Sequence, residues 1–159
     1  MDRIVLASVV VSAKTIWGEE LLSLITLPPI RRFDVFKSLF GLGGLLLLSA
    51  VAFPVLYDAT RYGMSALKHS LHSCYFCYHL KTAPLNEEVE FFYSRLGRSR
   101  TLMDLLNQRQ KYHRSFRFVL HCVPVLSRLH LMTALDNQFP RTVTRRDIQG
   151  YESHPPALT

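Results

Sequence analysis

Hydrophobic and polar positions divide the chain into segments of unlike character. From position 38 to 57 it reads SLFGLGGLLLLSAVAFPVLY, twenty residues without one charge. A helix of that length rises about 30 Å, the thickness of a bilayer's hydrocarbon core. Lys37 and Asp58 bound the run, and Tyr57 closes it with an aromatic where a membrane interface would lie. A chain this short rarely has room to surround a helix that is apolar on every face. The pattern therefore predicts a transmembrane helix over 38–57 rather than a buried core helix. Gly41, Gly43 and Gly44, followed by Ser49, Ala50 and Ala52, are small enough to admit a second helix, although glycine is also simply tolerated in membrane helices. Pro54 would bend the last turn.

Residues 4–27 follow a different rhythm. Ser8, Ser12, Thr15, Glu19, Ser23 and Thr26 recur at three- and four-residue spacing among apolar neighbours, which draws a narrow polar stripe down a helix. Lys14, Glu19 and Glu20 exclude a second span, since each charge at bilayer depth costs about 2.5–3.5 kcal/mol. An amphipathic helix lying at the membrane interface is expected over 1–29, stopped by Pro28 and Pro29. The β-branched run at positions 9–11 leaves an extended strand as the alternative. The first thirteen residues imitate a secretory leader only loosely, and the segment is expected to be retained.

Between the prolines and the span, Arg31, Arg32 and Lys37 stand with Phe33 and Phe36. These cations can reach lipid phosphates while the aromatics enter the boundary. They outnumber Arg61 and Lys68 on the far flank by one, a slight lean toward a cytoplasmic or matrix N-terminus. Beyond the span, residues 60–80 form either a helix or an irregular hairpin. Asn86 caps a helix with Glu87, Glu88 and Glu90 as first-turn charges, whose apolar face is Val89, Phe92, Tyr93 and Leu96 and which Gly97 ends. A further helix opens near Thr101 and is interrupted by Pro124, and a last amphipathic piece covers 125–135. Residues 138–159 read as an extended tail.

Composition sharpens the picture. The chain has 159 residues, 48% hydrophobic and only 19% charged, against the roughly 25% charged of soluble domains. Nineteen Lys and Arg against twelve Asp and Glu leave a net charge of +7. Arg95, Arg98, Arg100, Arg109, Lys111, Arg114 and Arg117 concentrate this charge, opposed only by Asp104. Guanidinium suits carboxylate and phosphate, so this stretch is expected to contact acidic partner subunits or lipid. No nucleic-acid-binding motif accompanies it, and nucleic acid is not expected as a partner.

Catalytic chemistry finds no constellation. There is no glycine-rich phosphate loop, no nucleophile elbow and no zinc-protease signature. Cys74 and Cys77 have the spacing of metal knuckles and redox pairs, with His72 and His79 beside them, but a second pair is missing and only Cys122 remains. The third cysteine also leaves no closed disulfide framework.

The expected fold is thus mainly α, an integral membrane protein with one transmembrane helix, an N-terminal interfacial amphipathic helix, and a small basic C-terminal helical region with an extended tail. Its segments are 1–29, 30–58, 59–137 and 138–159. The expected function is a non-catalytic accessory subunit of a large membrane complex, in the mitochondrial inner membrane, of the respiratory chain or the ATP synthase. Its partners would be other subunits and anionic lipids, with no cofactor, metal or small-molecule substrate. The alternatives are a membrane-anchored basic tether for RNA, ribosome or anionic lipid, and a metal or thiol redox protein using Cys74 and Cys77.

Overall fold

The computed structural model describes residues 2–12, 27–52, 59–106 and 116–143. They form six helices: α1 (Arg3–Ser12), α2 (Arg32–Ala52), α3 (Ala59–His79), α4 (Leu85–Arg95), α5 (Arg100–Leu106) and α6 (Phe116–Asp136). Among the described residues there is no strand, only an isolated antiparallel bridge between Ile30 and Arg141. The fold is mainly α, as expected.

The transmembrane helix is not borne out: among the described residues no helix is long and apolar enough to cross a membrane. α2 carries the apolar run as far as Ala52, and residues 53–57 lie outside the described part. Nor does α2 stand alone. Val35, Ser38 and Leu46 are buried, and Leu39, Leu42 and Leu45 pack against the core. One side of the run is therefore used inside the chain.

α2 begins where Asp34 folds back on the chain. Its carboxylate accepts the Arg31 backbone N–H at 2.8 Å, and its own N–H donates to the Arg31 carbonyl at 2.9 Å. This is the reach-back half of a capping box, and it starts a helix directly after the two prolines. Arg3 lies 3.8 Å from the same carboxylate and ties α1 to the start of α2.

α2, α3 and α6 have 21 residues each, about 31 Å of helix, and pack lengthwise on one another. The Ile30–Arg141 bridge joins the start of α2 to the chain just after α6, so these two run antiparallel. Ser70 beside His130 and Tyr78 beside Asp136 set α3 parallel to α6. α1 and α4 cover α3, and α5 closes against α4 and α6.

α3 is the centre. Ala66, Leu67, Ser70, Leu71, Ser73, Cys74, Tyr75, Phe76 and Cys77 are all buried along it. It is a single helix, not the irregular hairpin, and it is less apolar than α2. Its small side chains explain the position, because they let neighbours approach closely from several sides. One core gathers Leu46, Leu67, Leu71, Val89, Phe92, Leu102, Leu126 and Leu129, and a second holds Ile4, Val10, Ile30, Val35, Phe76 and Ala134.

Several sequence expectations change. Positions 9–11 are helical, and the polar stripe of the first segment turns inward at Ser8, which is buried while Val5 and Val9 are exposed. The Ser8 hydroxyl donates to the Val5 carbonyl at 2.9 Å, which removes the penalty of burying it. The stripe from Thr15 onward lies outside the described residues. α4 starts at Leu85 with Pro84 as its N-cap and no side-chain cap, so Asn86 does not serve. Gly97 does end that helix, at φ +68, a conformation that favours glycine. Pro124 does not interrupt α6, which runs through it. Pro124 and Leu120 both face outward, so the carbonyl that loses its N–H partner is not sealed in the core.

The start of the tail is anchored rather than free. Arg141 exchanges both backbone hydrogen bonds with Ile30, at 2.8 and 2.9 Å. Its guanidinium donates to the carbonyls of Cys77 and Tyr78 at the end of α3 and to Asn137. A cation there meets the negative end of the helix and its unpaired carbonyls. Residues 144–159 lie outside the described part.

One buried polar group has a measurable consequence. His130 is fully buried, with Nδ1 2.9 Å from the Leu126 carbonyl and 3.1 Å from Ser70 Oγ. A carbonyl only accepts, so the proton sits on Nδ1, and Nε2 finds no partner among the described residues. Burial pushes the imidazole below its ordinary value of 6.5, and His79 is lowered in the same direction, chiefly by desolvation. The unfolded chain then binds protons that the folded chain refuses. Stability is unaffected above about pH 7 and falls as pH drops through 6.5. Denaturation midpoints at pH 7.5 and 5.5 should show the loss, and His130→Gln should reduce the difference.

Candidate functional site

The described structure gathers the cations before the apolar run at one end of the bundle. Arg31, Arg32 and Lys37 are all exposed. Arg31 and Arg32 border a pocket of about 390 Å³ with Phe139 and Pro140. The second basic stretch is not assembled in the same way. Arg95, Arg98 and Arg100 are exposed around the α4–α5 junction. Arg95 lies 3.8 Å over the Phe91 ring and donates to the Phe91 carbonyl at 2.8 Å, while the Arg98 N–H closes α4 onto Tyr93 at 2.8 Å. Their local role is at the helix end. Arg109, Lys111, Arg114 and the Arg117 side chain lie outside the described residues, as do the side chains of Leu105, Leu106 and Phe116.

From the Arg31–Lys37 end, an apolar face extends along α2. Phe33, Phe40, Leu47, Leu48 and Val51 are exposed, Phe40 at 77% and Val51 at 71%. With Gly41 and Gly44 they fall at helical spacing on one side. α6 adds Leu120, Val123, Leu131 and Leu135, also exposed. Between the two helices runs a groove of about 320 Å³, walled by Leu39, Phe40, Leu47, Val123 and Leu126 and floored in part by Gly43 and Gly44. A Cβ placed on either glycine meets nothing within 4 Å. The fold itself does not require glycine at these positions.

The α6 half of this face was missed in the sequence. Leu120, Val123, Ser127, Leu131 and Leu135 have helical spacing, but the expected break at Pro124 divided the pattern. Arg128, exposed between them, escaped notice for the same reason.

The cysteine pair lies inside the bundle. Cys74, Cys77 and Cys122 are buried, free thiols. Burial pushes Cys74 and Cys122 up to about 12 and Cys77 well above its usual value. A thiol held protonated in this way is a poor nucleophile. Among the described residues, no group of three or more His, Cys, Asp and Glu is placed to hold a metal ion. His72 instead lies 2.7 Å from Glu88, itself buried, and Tyr75 donates to Glu87. These two acids thus bind α4 to α3 and are more than capping charges. The native chain should resist maleimide at pH 7.5 at all three cysteines and label fully after denaturation, as read by intact mass.

Comparison with protein-family models, with curated proteins and with solved structures gave no match to this chain.

Proposed function

We propose that the chain is a non-catalytic accessory subunit of a large membrane protein complex, in the setting of the mitochondrial inner membrane, where respiratory complexes and the ATP synthase reside. Its partners are other subunits and membrane lipids, and the run from residue 38 onward is its membrane-facing segment. The observation that carries this reading is the placement of polarity in the bundle. The more apolar α2 lies at the edge with Phe40, Leu47, Leu48 and Val51 exposed, while the less apolar α3 is enclosed. Ser70, Ser73, His130, Thr133 and Asn137 are buried in the interior. In water the reverse arrangement is favoured, because apolar surface left outside forgoes about 25 cal/mol per Å². A large apolar face on a small protein marks contact with another apolar body. Small residues on that face suit close packing where lipid surrounds the helices.

The Arg-rich composition agrees with anionic lipid or acidic neighbours. Extraction in mild detergent, followed by a native gel and mass spectrometry of the band, tests the reading. Migration with a multi-subunit membrane complex supports it. Migration at monomer size contradicts it.

A further inference from the structure

We infer that the α2–α6 groove is a binding site for an anionic phospholipid, one acyl chain lying over Gly43 and Gly44 and the phosphate resting on Lys37 and Arg128. The inference builds on the proposed membrane setting and names what occupies this particular surface.

The groove is lined by Leu39, Phe40, Gly43, Gly44, Leu46 and Leu47 of α2 and by Val123, Leu126 and Ser127 of α6. At about 320 Å³ it falls at the lower end of small-molecule sites, with walls suited to hydrocarbon. Its mouth toward the start of α2 is basic. Lys37 precedes the lining residues on α2, and Arg128 follows them on α6. Because the two helices are antiparallel, both exposed cations fall at the same mouth, toward Arg31 and Arg32. From Phe40 to Val51 the exposed α2 stripe carries no charge.

Among the described residues no acid opposes these cations on the face. The single acid of α2, Asp34, is buried and engaged by Arg31 and Arg3. The single acid of α6, Asp136, accepts the Tyr78 hydroxyl at 2.9 Å. The mouth therefore suits an anion and the groove suits an alkyl chain. Length agrees: eleven helical steps from Phe40 to Val51 rise about 16 Å, close to half of a 30 Å hydrocarbon core. That is the depth of one leaflet, from headgroup to chain end. The open space above Gly43 and Gly44 is where the chain would lie, since neither glycine is needed by the packing of the protein's own atoms.

The test uses the full chain and two vesicle preparations, phosphatidylcholine alone and phosphatidylcholine with phosphatidylglycerol as a minor component. The wild type should bind the second more tightly. Lys37→Glu with Arg128→Glu should reduce that preference by about fivefold or more per cation. Gly43→Leu points into open groove, so it should weaken binding to both vesicles while circular dichroism and thermal midpoint stay those of the wild type. Gly43→Ala serves as a milder filling should the leucine variant fail to fold, and should weaken binding less. Equal binding of wild type and a folded Gly43 variant overturns the site, as does a wild type indifferent to the anionic lipid. If Gly43→Leu keeps lipid binding but leaves the native complex, a partner helix occupies the groove and the lipid assignment fails. Lipid preference retained by a chain that never co-migrates with a complex keeps this inference and removes only the accessory-subunit reading.

Discussion

Leu46→Arg is expected to unfold the chain, whereas Leu47→Arg is expected to leave it folded and to release it from the proposed membrane complex. The two leucines are neighbours in one charge-free run, and the sequence pattern treats them alike. In the structure Leu46 is 2% exposed and packs into the core with Leu67, Leu71 and Leu126, while Leu47 is 68% exposed. An arginine at position 46 must bring a charge into that core without a partner. Leaving a buried charge uncompensated costs about 3–5 kcal/mol, and the lost leucine packing adds about 2–5 more. Together these approach the 5–15 kcal/mol that holds a typical domain folded. At position 47 the same side chain reaches outward, and a surface change of this kind moves intrinsic stability by about 0.5 kcal/mol or less. Its effect falls on whatever covers the face. Circular dichroism in detergent and co-migration on a native gel read the two consequences separately.

Phe92→Ala lowers stability by about 3–5 kcal/mol, the usual loss for a fully buried aromatic. Phe92 has no exposed surface and meets Phe91 edge-on at 4.8 Å and Tyr78 at 5.8 Å between ring centroids. The Tyr78 contact joins α4 to α3, so the loss falls on the packing of α4 as well as on hydrophobic burial. For a chain of this length the melting midpoint should drop by about 6–20 °C. Phe40→Ala is the companion measurement. Its ring is 77% exposed, and the midpoint in the same detergent should hardly change.

Helix existence was legible in the chain where spacing was clean. α4 emerged from Val89, Phe92, Tyr93 and Leu96 with Gly97 beyond, and of those side chains all but Tyr93 are buried. What spacing could not convey is the direction in which an apolar helix faces. A run such as 38–57 is apolar all round, so nothing in it separates Leu46 from Leu47. Partner helices make that distinction, and they lie further along the chain in α3 and α6, where Leu67, Leu71 and Leu126 share a core with Leu46. The enclosure of α3 was hidden for the complementary reason. Its serines, alanines and cysteines lower its hydropathy, yet small volume is what admits neighbours at close range.

Local hydrogen bonding produced the other departures. Ser8 can be buried because its hydroxyl finds the Val5 carbonyl, and Glu88 because His72 reaches it. A polar stripe is evidence of a solvated face only while such partners are absent. Pro124 marked a break that the helix avoids by turning the ring outward. Of the candidate site, Arg31, Arg32 and Lys37 were legible as cations beside an apolar segment, and the described structure places them together at one end of it. The α6 contribution depended on two helices being side by side. No single segment of sequence contains that fact.

The central claim is that the exposed face of α2 is covered in its native setting. Its most direct measurement is the labelling rate of Leu47→Cys by a water-soluble maleimide, in membranes opened by sonication and again after mild detergent extraction. Glu90→Cys, on the exposed side of α4, serves as the reference. The account predicts slow labelling at 47 in membranes and fast labelling at 90, the two rates converging once detergent strips the covering. Labelling at 47 as fast as at 90 in intact membranes would contradict it.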